Sequence, residues 1–141
     1  MFKKINFQFL LSYLGLFPFL VILLDYFFFK ILDNNIVKDF FIFYSIIIFV
    51  FIGAVNWNLK KNVSPIIVLI GFMPSLISVF IIIMFLNSYD VINYLIILFS
   101  IQLISDGFIY REKNNRFVFF QLRVPLTLTI ILALIFIQLY F

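Results

Sequence analysis

Asp106 and Arg123 are the residues in this chain whose types could do chemistry. Each stands at the edge of a long apolar run, where an unpaired charge is costly and a paired one is a candidate for handling an ion or a proton. Gln102, Ser105 and Asp106 recur at i, i+3 and i+4, a spacing that places a polar stripe on one helical face. Arg123, Thr127 and Gln138 lie close to one face of the run that follows, and Asn56 and Trp57 close an earlier run. A carboxylate, a guanidinium and several amides on one plane could bind a polar ligand. The same groups could equally lock three helix ends together as a structural clasp. Trp57 also has the side chain expected to anchor at a membrane–water boundary.

Other chemistry is hard to build from this sequence. Histidine and cysteine are absent, which removes the commonest transition-metal ligands, disulfides and the Cys–His and Ser–His nucleophile pairs. The carboxylates are Asp25, Asp33, Asp39, Asp90, Asp106 and Glu112, and no two are spaced to share an acid/base or metal site on one helix. The glycines (Gly15, Gly53, Gly71, Gly107) are isolated, so no phosphate-cradling loop is present. The expectation is a non-enzymatic protein with no catalytic residue, no metal and no cofactor.

The elements that must position these residues are apolar. Hydrophobic residues make up 66% of the 141, aromatic residues 22% and charged residues only 11%, with a mean hydropathy of +1.25. So few polar groups cannot coat a soluble domain. The charges fall in short clusters separated by apolar runs of roughly 17–25 residues, the length that crosses a bilayer core of about 30 Å as an α-helix. The sequence predicts an all-α polytopic integral membrane protein. It is read as a single membrane domain over residues 1–141, a bundle of five transmembrane helices near 7–29, 40–59, 65–86, 91–109 and 121–140. The first run lacks a small-residue cleavage site and exceeds a signal-peptide core, so it is read as a retained helix. A four-span arrangement, with the first or fifth run lying in the interface, is the alternative.

Eight of the ten basic residues (Lys3, Lys4, Lys60, Lys61, Arg111, Lys113, Arg116, Arg123) fall on the N-terminal side of that arrangement. Lys30 and Lys38 fall on the other. The bias predicts an N-terminus inside and a C-terminus outside, and it places Asn56, Trp57, Asp106 and Arg123 at the inner face. Because the basic residues flank apolar runs, the net charge of +4 speaks for topology rather than for nucleic acid.

Small residues predict how the helices pack. Gly71, Ser75 and Ser78, at i, i+4 and i+7, form a candidate seam for close helix–helix approach. Ser64-Pro65 suits a helix start, and Pro18 and Pro74 are expected to kink their helices. Asp25, near the outer end of the first run, is expected to reach headgroup water.

Several of these residues also carry a resemblance. Leu14-Gly15-Leu16-Phe17-Pro18-Phe19 comes first, followed by Phe51-Ile52-Gly53-Ala54-Val55-Asn56-Trp57, Met73-Pro74-Ser75-Leu76, Asp106 and Leu122-Arg123-Val124-Pro125-Leu126-Thr127. That order resembles the family of mitochondrial transmembrane protein 69 and its bacterial relatives, the domain of unknown function 3429. The family typically has a histidine or arginine before the tryptophan and a glycine after it, where this chain has Asn56 and Asn58. Val118-Phe119 stands where a Trp-Tyr pair is often found. A basic or titratable role before the tryptophan therefore does not carry over. The resemblance implies a multi-pass protein of a bacterial cytoplasmic (inner) membrane, or of the mitochondrial inner membrane in a eukaryote, and it brings no activity.

The resulting expectation is a scaffold or assembly factor. Its partners would be the lipid bilayer and another membrane protein or a second copy, with no nucleic acid. The alternative is a small oligomeric transporter or channel using the inner-face polar cluster. Against it, the spans offer few polar residues at mid-depth. An enzyme acting on lipid is the least supported reading.

Overall fold

The computed structural model describes residues 7–56, 64–111 and 116–141, with side chains described from Leu10 onward. The described residues are mainly helical, with no strand among them, and they form five rods long and apolar enough to cross a membrane. A backbone surrounded by apolar side chains must satisfy its own N–H and C=O groups, and a helix does so within one segment.

The first rod is broken where its proline requires it. Helix α1 (Phe7–Leu14) and helix α2 (Phe17–Leu24) are separated by a turn at Gly15-Leu16, and Pro18 sits in the first turn of α2. Lacking an N–H, Pro18 cannot bond the Leu14 carbonyl. The chain tightens there, with Leu16 N–H donating to Tyr13 O at 3.0 Å. The Tyr44 hydroxyl donates to the Gly15 carbonyl at the same break, at 2.6 Å. The rod ends in a π-helical turn, Asp25–Phe29, closed by Lys30 in the left-handed region (φ 52°). Asp25 does not reach outward as expected. It is buried, and its carboxylate accepts the backbone N–H groups of Ile31 (3.2 Å) and Leu32 (3.0 Å), stapling the following loop.

Helix α3 (Asn34–Ala54) is the hub. It begins six residues before the apolar run expected at Phe40, because Asp33 is extended and the polar residues after it continue the helix with the same pitch. Its buried positions, among them Val37, Phe41, Ser45, Phe49 and Ile52, recur at helical spacing. They pack on α4 (Pro65–Leu86), α5 (Ile92–Ile109) and α7 (Val124–Tyr140). Phe49 meets Phe99 edge to face at 5.4 Å, and Ile130, Leu134 and Ile137 complete the interior.

Helices α3 and α4 approach each other closely at Gly53. A Cβ on Gly53 would stand 2.8 Å from the Gly71 carbonyl oxygen and 2.7 Å from Pro74 Cγ, closer than any side chain tolerates. On α4 the buried line is Gly71, Pro74, Ser78 and Ile81. Gly71 and Ser78 therefore lie on the seam, with Pro74 between them and Ser75 half-buried at its edge. Helix α4 runs uninterrupted through Pro74, and the Ser78 hydroxyl donates to the Pro74 carbonyl at 2.7 Å. Pro65 occupies the first turn of α4, but the Ser64 side chain makes no cap; its carbonyl accepts Ile67 N–H at 3.0 Å instead.

The fifth rod starts at Arg116, ahead of the expected 121. A short turn of helix, α6 (Arg116–Val118), leads through a second π-helical turn, Phe119–Arg123, into α7. Pro125, with no N–H to give, leaves the Gln121 carbonyl open, and the Tyr13 hydroxyl from the first rod donates to it. The first rod is otherwise peripheral. Only 6% of its most apolar window is buried, against 44% for α3, so it leans on the bundle through rings such as Phe19 against Phe41 and Tyr26 against Phe136.

Candidate functional site, a polar clasp beside an apolar cavity

The polar residues near the ends of α3, α5 and α7 converge. Asp106 lies in the last turn of α5, where Gln102, one turn earlier, donates from Nε2 to its Oδ1 at 3.2 Å. Arg123 reaches it because of the π-helical turn. The extra residue in that turn rotates the chain, so Val124 N–H bonds Phe119 O rather than the carbonyl four residues back. Arg123 is thereby carried to the interior side of the rod, where it is 4% exposed while Asp106 is fully buried.

The guanidinium then serves three neighbours. Its Nε stands 3.7 Å from Asp106 Oδ2, an ion pair without a direct hydrogen bond. One terminal nitrogen donates to the Ile52 carbonyl at 3.4 Å and the other to the Tyr110 hydroxyl at 3.2 Å. The Ile52 carbonyl is free to accept because α3 is ending. Asn56 N–H bonds Gly53 O at 3.1 Å, one residue short of the α-helical partner. A cation at that helix C-terminus also meets the negative end of the helix dipole. Tyr110 donates in turn to Asn56 Oδ1 at 3.4 Å, and its ring lies 5.5 Å from the Arg123 guanidinium carbon.

The structure therefore brings together Asn56, Gln102, Asp106 and Arg123. Trp57 lies outside the described residues. Ser105 is not part of the cluster: its hydroxyl donates to Ile101 O at 3.0 Å on its own helix. Gln138 is at the opposite end of α7, where its amide donates to Asn93 Oδ1 at 2.9 Å. Sequence reasoning missed Tyr110 and the Ile52 carbonyl. Tyr110 has a signal in hindsight, since Gln102, Asp106 and Tyr110 fall at i, i+4 and i+8 on one face. The Ile52 carbonyl has none, because a main-chain acceptor leaves no mark on side-chain type. Among the described residues, no three His, Cys, Asp or Glu side chains gather as a metal site would require.

Beside the clasp lies a cavity of about 800 Å³, between the first rod, α3 and the start of the fifth rod. Arg123, Tyr110 and Thr127 contribute to its wall, and the rest is mainly aliphatic and aromatic. Tyr13, Phe19 and Tyr44 tie the first rod to the bundle beside it. Thr127 is 1% exposed and its hydroxyl makes no hydrogen bond. The wall residues Leu11, Phe51 and Val55 are more than half exposed, so the cavity is open along its side.

Neither the curated proteins nor the solved structures contain a match to this chain. The family described as protein of unknown function (DUF3429) matches residues 6–139, which is nearly the whole length. That span holds the Gly53–Gly71 contact, the Asp106–Arg123 clasp and the cavity alike, and the chain belongs to the DUF3429 family.

Proposed function

We propose that this is a non-enzymatic multi-pass membrane protein of a bacterial or mitochondrial inner membrane, a small scaffold or assembly factor that binds lipid or another membrane protein. One observation carries the reading: the charged groups of the site are spent on one another, while apolar surface faces outward on every rod. Asp106 is fully buried against Gln102 and Arg123, whereas a general acid or base must reach its substrate. Outward stand Leu20, Ile47, Phe80, Ile104 and Leu132, each more than half exposed. In water such a surface is strongly unfavourable; against acyl chains it is not. Between the clasp and the Asn93–Gln138 pair, the inward faces of α5 and α7 carry Leu95, Phe99, Ile130 and Leu134. A polar path for a solute would have to pass through these residues, which favours the binding protein over the transporter.

The basic bias supports an N-terminus inside, and the resemblance of the ordered motifs to the mitochondrial transmembrane protein 69 family supports the choice of membrane. Purification from native membranes in mild detergent tests the function. Stoichiometric lipid or a stoichiometric membrane protein is the expected result. Solute flux in liposomes, or turnover of lipid, would overturn it. A reporter active only outside the membrane should work when fused after Phe141 and be silent when inserted within Arg111–Arg116, and the reverse would invert the topology.

A further inference from the structure

The geometry points to a specific occupant for the cavity: one acyl chain of an anionic phospholipid from the leaflet at the Asp106 end, with its ester carbonyl held at Thr127. This deepens the lipid-binding reading above and rests on it. Three observations combine. The first is length. The α3 wall runs from Tyr44 to Val55, roughly 16 Å at 1.5 Å per residue, which is about half of a hydrocarbon core of ~30 Å. The cavity therefore has the depth of one leaflet, and its open side lets a chain enter laterally.

The second is the buried donor. Thr127 is one of the residues lining the cavity, its buried hydroxyl has no partner, and it follows Arg123 by one helical turn, roughly 6 Å deeper. In a phospholipid the phosphate lies outermost, the ester carbonyls come next inward and the acyl chains follow. A hydroxyl one turn below an arginine matches that order. A buried hydroxyl left without a partner is costly.

The third is charge. The positive charge of Arg123 is balanced by Asp106, so the phosphate must be met elsewhere. Tyr110 and Val118 line the cavity, and exposed Arg111 follows Tyr110 while exposed Arg116 precedes Val118 by two residues. These are the basic groups that an anionic headgroup would find at that level.

The test uses the full chain reconstituted in vesicles of equal phosphatidylglycerol and phosphatidylcholine, then solubilised, delipidated and analysed by native mass spectrometry. One retained phosphatidylglycerol per chain is expected. Thr127→Val, which keeps shape and removes the hydroxyl, should weaken retention about fivefold, the value of one hydrogen bond of ~1 kcal/mol. Leu126→Trp, which fills the cavity, should abolish retention, while Leu128→Trp on the lipid-facing side should not. Melting in detergent identifies any variant that fails to fold, and Thr127→Val carries the test if Leu126→Trp does. Equal retention of the two lipids, or equal retention by wild type and Thr127→Val, would overturn the proposal. A delipidated chain that retains no lipid but still co-purifies with a membrane protein would overturn this inference and leave the scaffold reading standing. Lipid turnover or solute flux would remove both.

Discussion

Helices α5 and α7 are tied to each other by polar side chains at both ends, and the two ties are built differently. At one end Asp106 and Arg123 are buried, charged and linked onward to Gln102, Tyr110 and the Ile52 carbonyl of α3. At the other, Asn93 and Gln138 share one amide–amide hydrogen bond at 2.9 Å and are exposed. The difference shows that position, more than pairing, sets what a polar contact is worth. A buried charge has no alternative partner, so its loss is expensive. An exposed amide finds another partner in water or a lipid headgroup. The first tie also joins three helices where the second joins two, so only the first can fix how the bundle closes.

Breaking the buried tie gives the largest expected effect. Asp106→Asn leaves Arg123 without its counter-charge and should destabilise the protein by about 3–5 kcal/mol, read as a lower melting temperature in detergent. The exchange Asp106→Arg with Arg123→Asp should recover only part of this. The exchanged arginine would sit on α5, where it cannot reproduce the bonds that Arg123 makes to Ile52 O and Tyr110 from the fifth rod. Full recovery would mean that charge pairing alone matters and that the three-helix geometry does not.

An intermediate effect should come from the packing that supports the buried tie. Gly53 lies beside Ile52, whose carbonyl receives Arg123, and against Gly71 and Pro74 of α4. Gly53→Ala forces backbone against backbone and should cost about 1–3 kcal/mol. Gly71→Leu should be worse tolerated than Ser75→Leu, because Gly71 is on the buried line and Ser75 at its edge. Equal melting temperatures for the two leucine variants would show that the α3–α4 seam yields more easily than its spacing implies.

How much of this could be read beforehand follows from the same physics. Asp106 and Arg123 stand out in the sequence because charges at the edges of apolar runs demand partners. The rods are visible because their composition leaves a helix little alternative. Gly53 is not visible as a contact point, since a lone glycine gains meaning only when the crossing helix is known. Ser75 reads as the seam in place of Pro74 because neighbouring positions differ by only about 100° around a helix, and small polar residues are the usual packing signal. Tyr110 draws no attention in the sequence, and its part is seen only with its hydroxyl between Asn56 and Arg123. The π-helical turn that delivers Arg123 leaves no sequence trace beyond Pro125, two residues later, and that proline alone would predict only a helix start.

The smallest expected effect sharpens the comparison from its other side. Asn93→Ala removes the exposed tie and should cost about 0.6 kcal/mol, the average for a hydrogen bond between membrane helices. Gln138→Leu should cost the same, and the double variant should cost no more than either, because each single change already abolishes the bond. The measurement is a double-mutant cycle on melting in detergent, run beside the same cycle on Asp106 and Arg123. If the Asn93–Gln138 coupling matched that of the buried pair, burial could not be what separates the two ends. The clasp would then be one of two equivalent rivets, and the reason for burying a charge at one end alone would have to be sought in what that end binds.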